Sequence, residues 1–296
     1  MFLSALYWSR LRRRRGRARQ PSAPTYPIKQ KRVCERIGLN PGVSGPSGNF
    51  DVSTTRPPAA PPPDARAQAK QLLRLARTGA LATLDRATGA PLTTLVSVGS
   101  DYDGAPLLLL SALAQHTRNL AVDPRGSLLL TNQSGRGDPL NQPRLTVGGE
   151  IVVQLEPKAR ARFLARNPKA KLYASFADFS MFRMEISAVH FNGGFARASA
   201  LTPADILSDL ACAQALIEAE SALLEEINRQ GATRLSRLVG GESGENKRRW
   251  RAVGLDPEGL DLISGARVGR ASFPTPTRSP QAWREALDAF RNEREN

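Results

Sequence analysis

The chain has 296 residues, two cysteines, two histidines and a formal net charge of +15 at pH 7. That length is enough for two domains with hydrophobic cores. Cys34 and Cys212 are too few and too far apart for a disulfide framework or a cysteine metal site, which favours a reducing, cytoplasmic location. No apolar run reaches the length that spans a bilayer, so no membrane partner is expected.

The basic charge is concentrated near the amino terminus. Residues 1–50 contain nine Arg, two Lys and a single acid, Glu35, and they carry +10 of the total charge. The rest of the chain is only mildly basic, so we expect no nucleic-acid binding by the folded domains. The basic segment fits an organelle transit peptide, a nucleic-acid-binding arm or a mis-assigned translation start. We expect residues 1–64 to be a disordered extension that ends in a stiff proline-rich linker, 57–63.

Short strands with tight turns follow the linker. Asp64 is placed to cap a helix from Ala65 to Arg77. The strands predicted after it are rich in apolar and β-branched residues, and they cover 79–84, 91–98, 107–111, 127–131, 144–153 and 184–191. Pro157 opens a helix to Arg166, and a second helix is predicted to about Ser175. Such a succession predicts a small antiparallel β-barrel.

The segment 107–120 is the most informative in the chain. An apolar strand ends at Ser111, and a helix carrying His116, Thr117, Arg118 and Asn119 begins shortly after it. A strand that runs into a helix start concentrates free backbone N–H groups, and with the hydroxyl and guanidinium side chains these would suit a phosphate monoester. The alternative interpretation is an ordinary capped surface helix.

This order of motifs resembles the pyridoxamine 5′-phosphate oxidase-like FMN-binding split barrels, and within them the haem-utilisation (HugZ) branch. The similar segments span about residues 65–200 and include 80–84, 91–98, 109–120, 138–149, 173–179 and 190–198. The most specific segment is His-Thr-Arg-Asn-Leu at 116–120. The fold class implied is α+β, with a split β-barrel over 65–200.

The resemblance implies FMN as the cofactor. The strand segment 93–96, with Thr93, Thr94 and Val96, would run along the isoalloxazine ring. The ribityl phosphate would be held by the side chains at the helix start, namely Ser111, His116, Thr117, Arg118 and Asn119. Arg144 would lie near the flavin, with a solvated strand end as the alternative. If haem is bound instead, His190 is the candidate axial ligand, and no other metal ligand is expected.

The carboxyl-terminal part, 201–296, resembles the small α/β module known as DUF2470. The resemblance lies in 250–262 and 271–276, and an amphipathic helix capped by Ser279 follows. Helices at 202–210 and 212–230 are expected to connect it to the barrel. Where the module usually carries an acidic residue and a histidine, this chain has Ile-Asn-Arg-Gln-Gly at 227–231. That departure weakens a ligand role and favours a packing role for the module.

No side-chain motif for catalysis is found in the sequence, which is compatible with a flavoenzyme because the flavin carries the redox chemistry. The leading hypothesis is an FMN-dependent oxidoreductase that acts on a small molecule. The alternatives are a haem-binding or haem-degrading protein of the HugZ type and a cofactor-free regulatory binding module. The resemblance also implies a homodimer with its sites at the subunit interface.

Overall fold

The structure, a computed structural model, describes residues 63–131, 138–194, 197–239 and 249–295. The segments within these ranges belong to one compact unit. The basic segment and nearly all of the proline-rich linker lie outside the described residues. None of the described helices combines the length and the apolar character needed to cross a bilayer.

Six antiparallel strands close into a barrel. Their sheet order is β3-β2-β1-β4-β5-β6, and β3 also pairs with β6. The strands are β1 (Thr78–Leu84), β2 (Pro91–Ser100), β3 (Pro106–Ser111), β4 (Arg125–Thr131), β5 (Arg144–Val153) and β6 (Phe179–Asn192). A short β7 (Ala198–Leu201) extends the sheet beyond β6. The α+β split-barrel fold predicted from the sequence is therefore confirmed.

Every second side chain along the strands points into the barrel, and these side chains fill its interior. Fully buried side chains from facing strands meet in its interior, among them Leu81, Val98, Leu108, Leu128, Leu130, Leu145, Val147 and Phe191. The helices near the barrel are α1 (Pro63–Leu75), α2 (Gln115–Leu120) and α3 (Pro157–Arg166), with 3-10 helices at Pro139–Asn141 and Pro168–Leu172. The bounds predicted for α3 are confirmed, but the helix predicted to Ser175 ends at Leu172 as a 3-10 helix.

Strand β6 is longer than the sequence pattern predicted. It begins at Phe179, five residues before the predicted start, because Phe179 through Arg183 pair with β3 and close the barrel. His190 lies two residues before the carboxyl end of this strand.

The carboxyl-terminal half forms a second layer. It contains α4 (Pro203–Ile206), α5 (Gln214–Arg229), α6 (Ala232–Arg237), β8 (Arg251–Asp256), β9 (Gly259–Ser264), β10 (Arg267–Ser272) and α7 (Pro280–Glu295). Trp283 of α7 is fully buried in an apolar cluster with Leu287 and residues of α5 and the three-stranded sheet. The predicted cap is confirmed, because the Ala282 N–H donates to Ser279 Oγ over 3.2 Å. The helix predicted at 202–210 is a single turn ended at Ile206.

A buried ion network joins the two halves. Asp256 of β8 pairs with Arg74 of α1 over 3.1 Å and with Arg270 of β10 over 2.8 Å. Arg162 of α3 pairs with Glu220 of α5. Burial opposes ionisation of Asp256, but the guanidinium groups of Arg270 and Arg74 hold the pKa of its carboxyl well below the usual value. These ion pairs connect the barrel to the carboxyl-terminal sheet.

Candidate functional site

The residues predicted along the flavin ring divide between two sides of β2. Val96 is 6% exposed and faces the barrel core, whereas the side chain of Leu95 is 77% exposed on the outside. Thr93 is exposed on the same side as Leu95. Thr94 faces α2, where its hydroxyl lies 3.0 Å from His116 Nδ1. Thr93, Leu95 and the backbone of this segment are therefore placed to contact a ligand on the outer surface, whereas Thr94 and Val96 are not.

The predicted phosphate site is only partly assembled. The Ser111 hydroxyl donates to Asp178 Oδ2 over 2.5 Å, and the Leu113 N–H donates to the same hydroxyl. A carboxylate beside Ser111 opposes the approach of a phosphate, because two anions would then lie close together. Asp178 was not singled out from the sequence, although it lies within the segment 173–179 that carried the resemblance.

The side chains on α2 point in different directions. Asn119 is fully buried, where its amide donates to Thr83 Oγ1 over 3.1 Å and its carbonyl accepts from the Arg86 N–H over 3.2 Å. Thr117 is also buried, and its hydroxyl has no hydrogen-bond partner among the described residues. Arg118 is exposed, and its guanidinium forms no hydrogen bond or ion pair with a described residue. Of the predicted phosphate ligands on α2, Arg118 alone is free to bind an anion at the surface.

His116 is half-buried beside β2. Burial lowers the pKa of its imidazole, so the ring is held neutral at physiological pH. With its Nδ1 engaged by Thr94, His116 links α2 to the barrel wall.

The strand register creates a continuous row of side chains across the outside of the barrel. Leu95 pairs with Ala80, Ala80 with Leu129, Leu129 with Thr146, and Thr146 with His190. The adjacent row runs through Thr93, Ala82, Ser127, Gly148 and Ala188. We call these two rows the outer face, and all ten residues are exposed or half-buried.

Most side chains of the outer face are small, and it is polar at only a few points. His190 lies at one edge, exposed, with no hydrogen-bond partner for its ring among the described residues. Arg144 lies on β5, two residues before Thr146 and opposite Asn192, and it donates through Nη1 to Leu140 O over 2.9 Å. The pairing of β5 with β6 brings His190 and Arg144 onto one surface, which sequence spacing alone could not show.

The described residues hold no cluster of three or more His, Cys, Asp or Glu side chains that could bind a metal ion. A single exposed histidine is a different arrangement. It can provide one axial ligand to a planar metal macrocycle, for which the macrocycle itself supplies the remaining ligands.

Comparisons with known proteins agree with the fold. The family described as CREG, beta-barrel matches residues 61–207. The solved structure of Atu2129 from Agrobacterium tumefaciens, a protein of unknown function, is 35% identical and covers 79% of this chain and 100% of its own, with a TM-score of 0.67.

Two relatives have names that mention haem. The chloroplastic heme oxygenase HOZ of Arabidopsis thaliana is 36% identical over 115 residues, which cover 37% of this chain and 34% of that protein. This chain therefore spans about a third of the curated relative that it matches. A heme binding protein from Mycobacterium smegmatis is 26% identical and covers 80% of this chain and 98% of its own, with a TM-score of 0.45.

Proposed function

We propose that this chain, which belongs to the same family as Atu2129 of A. tumefaciens, binds haem on the outer face of its barrel through His190. The observation that carries this proposal is the exposed imidazole of His190 on β6, with Thr146 of β5 and Leu129 of β4 beside it in the same cross-strand row. The similarity to a heme oxygenase over 115 residues supports the same ligand class.

The shape and chemistry of the outer face suit a porphyrin. A planar apolar ring needs room close to the strands, and the small residues Ser127, Gly148 and Ala188 in the row next to His190 leave that room. Leu129 would provide apolar contact with the ring. The exposed imidazole of His190 would supply an axial nitrogen ligand to the iron. The haem iron would supply any redox chemistry, and the protein would bind and orient the ring.

A positive group for the haem carboxylates lies on the same side. Arg144 pairs with Asn192, two residues beyond His190 on β6. Its guanidinium uses one N–H toward Leu140 and retains further donors for a carboxylate. Arg144, predicted as a residue near a flavin, is thus proposed as a contact to a haem propionate.

The two histidines of the chain provide a matched test of this proposal. The full chain should be titrated with haemin and followed by the Soret band, in parallel with His190→Ala and His116→Ala. We expect the wild type and His116→Ala to bind haem, and His190→Ala to lose the shifted Soret band. Unchanged binding by His190→Ala, with both variants folded, would exclude axial ligation by that residue.

FMN binding is the second candidate, and the free guanidinium of Arg118 is the observation that favours it. The carboxylate of Asp178 beside Ser111 and the burial of Thr117 and Asn119 weigh against a phosphate site there. If FMN is the ligand, Arg118→Ala should weaken its binding by about 1.5–3 kcal/mol, as expected for a lost charge-assisted hydrogen bond. Riboflavin, which lacks the phosphate, should bind wild type and variant alike. Flavin fluorescence measures both, and equal FMN affinity would remove this candidate.

A homodimer is proposed on the same surface. Leu95 is 77% exposed and Leu129 is 38% exposed on an uncovered part of the described barrel, and paired subunits would remove such apolar area from water. A haem bound there would lie at the subunit interface. A cofactor-free regulatory module remains the interpretation if the purified protein binds neither haem nor FMN.

A further inference from the structure

The segment that follows α3 directs two large apolar side chains into solvent. Ala170 and Ala174 are 2% and 4% exposed, whereas Leu172 and Phe176 are 79% and 57% exposed. The Ala174 N–H donates to Ala170 O over 2.8 Å, so a turn continues past the 3-10 helix, and buried and exposed residues alternate through it. The alanines anchor the segment to the cluster that contains Phe163 and Met181. Leu172 is turned to solvent, and the Phe176 ring is more than half exposed while one edge contacts Phe179 with centroids 6.4 Å apart.

A neighbouring loop adds a third apolar side chain. The Ala112 N–H donates to Asp178 O over 2.7 Å, which holds the loop after β3 beside this segment. Leu113 in that loop is 69% exposed. We call Leu113, Leu172 and Phe176 the apolar ridge.

The sequence around the ridge is cationic. Between Glu156 and Asp178 the chain contains six Lys and Arg residues and no acid. Arg162 and Arg166 are buried in the ion network, but Lys158, Lys169 and Lys171 are exposed and form no ion pair with a described residue. The carboxylate of Asp178 accepts the bond from Ser111. Protruding apolar groups are therefore flanked by unpaired positive charge.

We propose that the apolar ridge docks on the surface of an anionic lipid bilayer. Leu and Phe side chains enter the boundary between headgroups and acyl chains, and lysines beside them are attracted to anionic headgroups while their stems stay in apolar contact. A bilayer accepts isolated protruding side chains without a complementary shape, whereas a protein partner needs a wider matched surface. No helix of the described residues could span a membrane, and a peripheral contact of this kind requires none. This proposal does not depend on haem binding.

The test is co-sedimentation of the full chain with vesicles of phosphatidylcholine alone or mixed with phosphatidylserine. We expect binding to the anionic vesicles. Leu172→Ser and Phe176→Ser should each weaken it about tenfold, the effect of withholding one large apolar side chain from the bilayer. Lys169→Gln and Lys171→Gln should each weaken it about fivefold. Leu140→Ser is the matched control, because Leu140 is 66% exposed on the other 3-10 helix and lies outside the ridge.

The comparison between variants is decisive because the basic amino-terminal segment, present in all of them, also attracts anionic vesicles. If Leu172→Ser and Phe176→Ser bind these vesicles as the wild type does, the proposal is overturned. It is equally overturned if these variants change only self-association in light scattering, or if the lysine variants lose only nucleic-acid binding. Hydrogen exchange of residues 168–177 should slow when vesicles are added, and unchanged exchange there would contradict docking through the ridge.

Discussion

Asp256 shows how a single buried carboxylate holds several elements together. It is fully buried, accepts from two N–H groups of Arg270 over 2.8 Å each, and also pairs with Arg74. Its backbone carbonyl accepts the Trp283 indole N–H over 3.0 Å. Removing this charge leaves the buried guanidinium of Arg74 without its counter-ion and leaves that of Arg270 with Asp261 alone, and such groups cannot recover water.

We therefore predict that Asp256→Asn lowers the free energy of unfolding by about 3–5 kcal/mol. Glu226→Gln provides the control, because the pair of Glu226 with Arg284 lies at the surface and should contribute less than about 1 kcal/mol. Urea denaturation of the full chain measures both. Equal midpoints for the two variants would show that the network adds little stability.

At individual positions the sequence predicted which residue types lie at the candidate site better than it predicted their hydrogen-bond partners. It placed Ser111 and Arg118 at the junction of a strand and a helix, and the structure has that junction. It did not show that Ser111 is bonded to Asp178, 67 residues away, or that the Asn119 amide bonds to Thr83. Such bonds depend on which strands become neighbours, and local patterns carry no information about that.

The strands were the most predictable elements because their side chains alternate between the barrel interior and its outer surface. The predicted bounds of β5 agree at both ends with the structure. The length of β6 was underestimated because its first residues pair with β3, which lies far from β6 in the sequence. The outer face likewise depends on register across five strands, so the position of His190 on it did not follow from composition.

The pairing of β5 with β6 is irregular at Gly148 and Gly149, and the two glycines differ sharply. A Cβ on Gly149 would lie 1.9 Å from Glu185 O, whereas a Cβ on Gly148 would meet Ala188 Cβ at 3.6 Å, an ordinary contact. We predict that Gly149→Ala destabilises the fold by at least about 2 kcal/mol through backbone displacement. Gly148→Ala should change stability by no more than about 0.5 kcal/mol. Thermal unfolding compares them, and similar melting temperatures would contradict the bulge geometry.

At the scale of the whole molecule, the sequence separated a barrel from a carboxyl-terminal module, and the structure has both sets of elements. The predicted boundary at residue 200 falls within β7, whose Leu201 still pairs with Val189 of the barrel. Arginines of α1 and α3 meet acids of α5, β8 and β9 in the buried network. In the sequence these charges resemble ordinary surface residues, so the connection between the halves could not be predicted.

The central claim is that a haem lies on the outer face with His190 as its axial ligand. The most direct measurement is the absorption spectrum of the ferric haem complex of His190→Gly with and without added imidazole. We predict that His190→Gly loses the wild-type Soret position and that free imidazole, occupying the space of the deleted ring, restores it. His116→Gly should keep the wild-type spectrum and be indifferent to imidazole. A wild-type Soret band in His190→Gly without imidazole would contradict the claim.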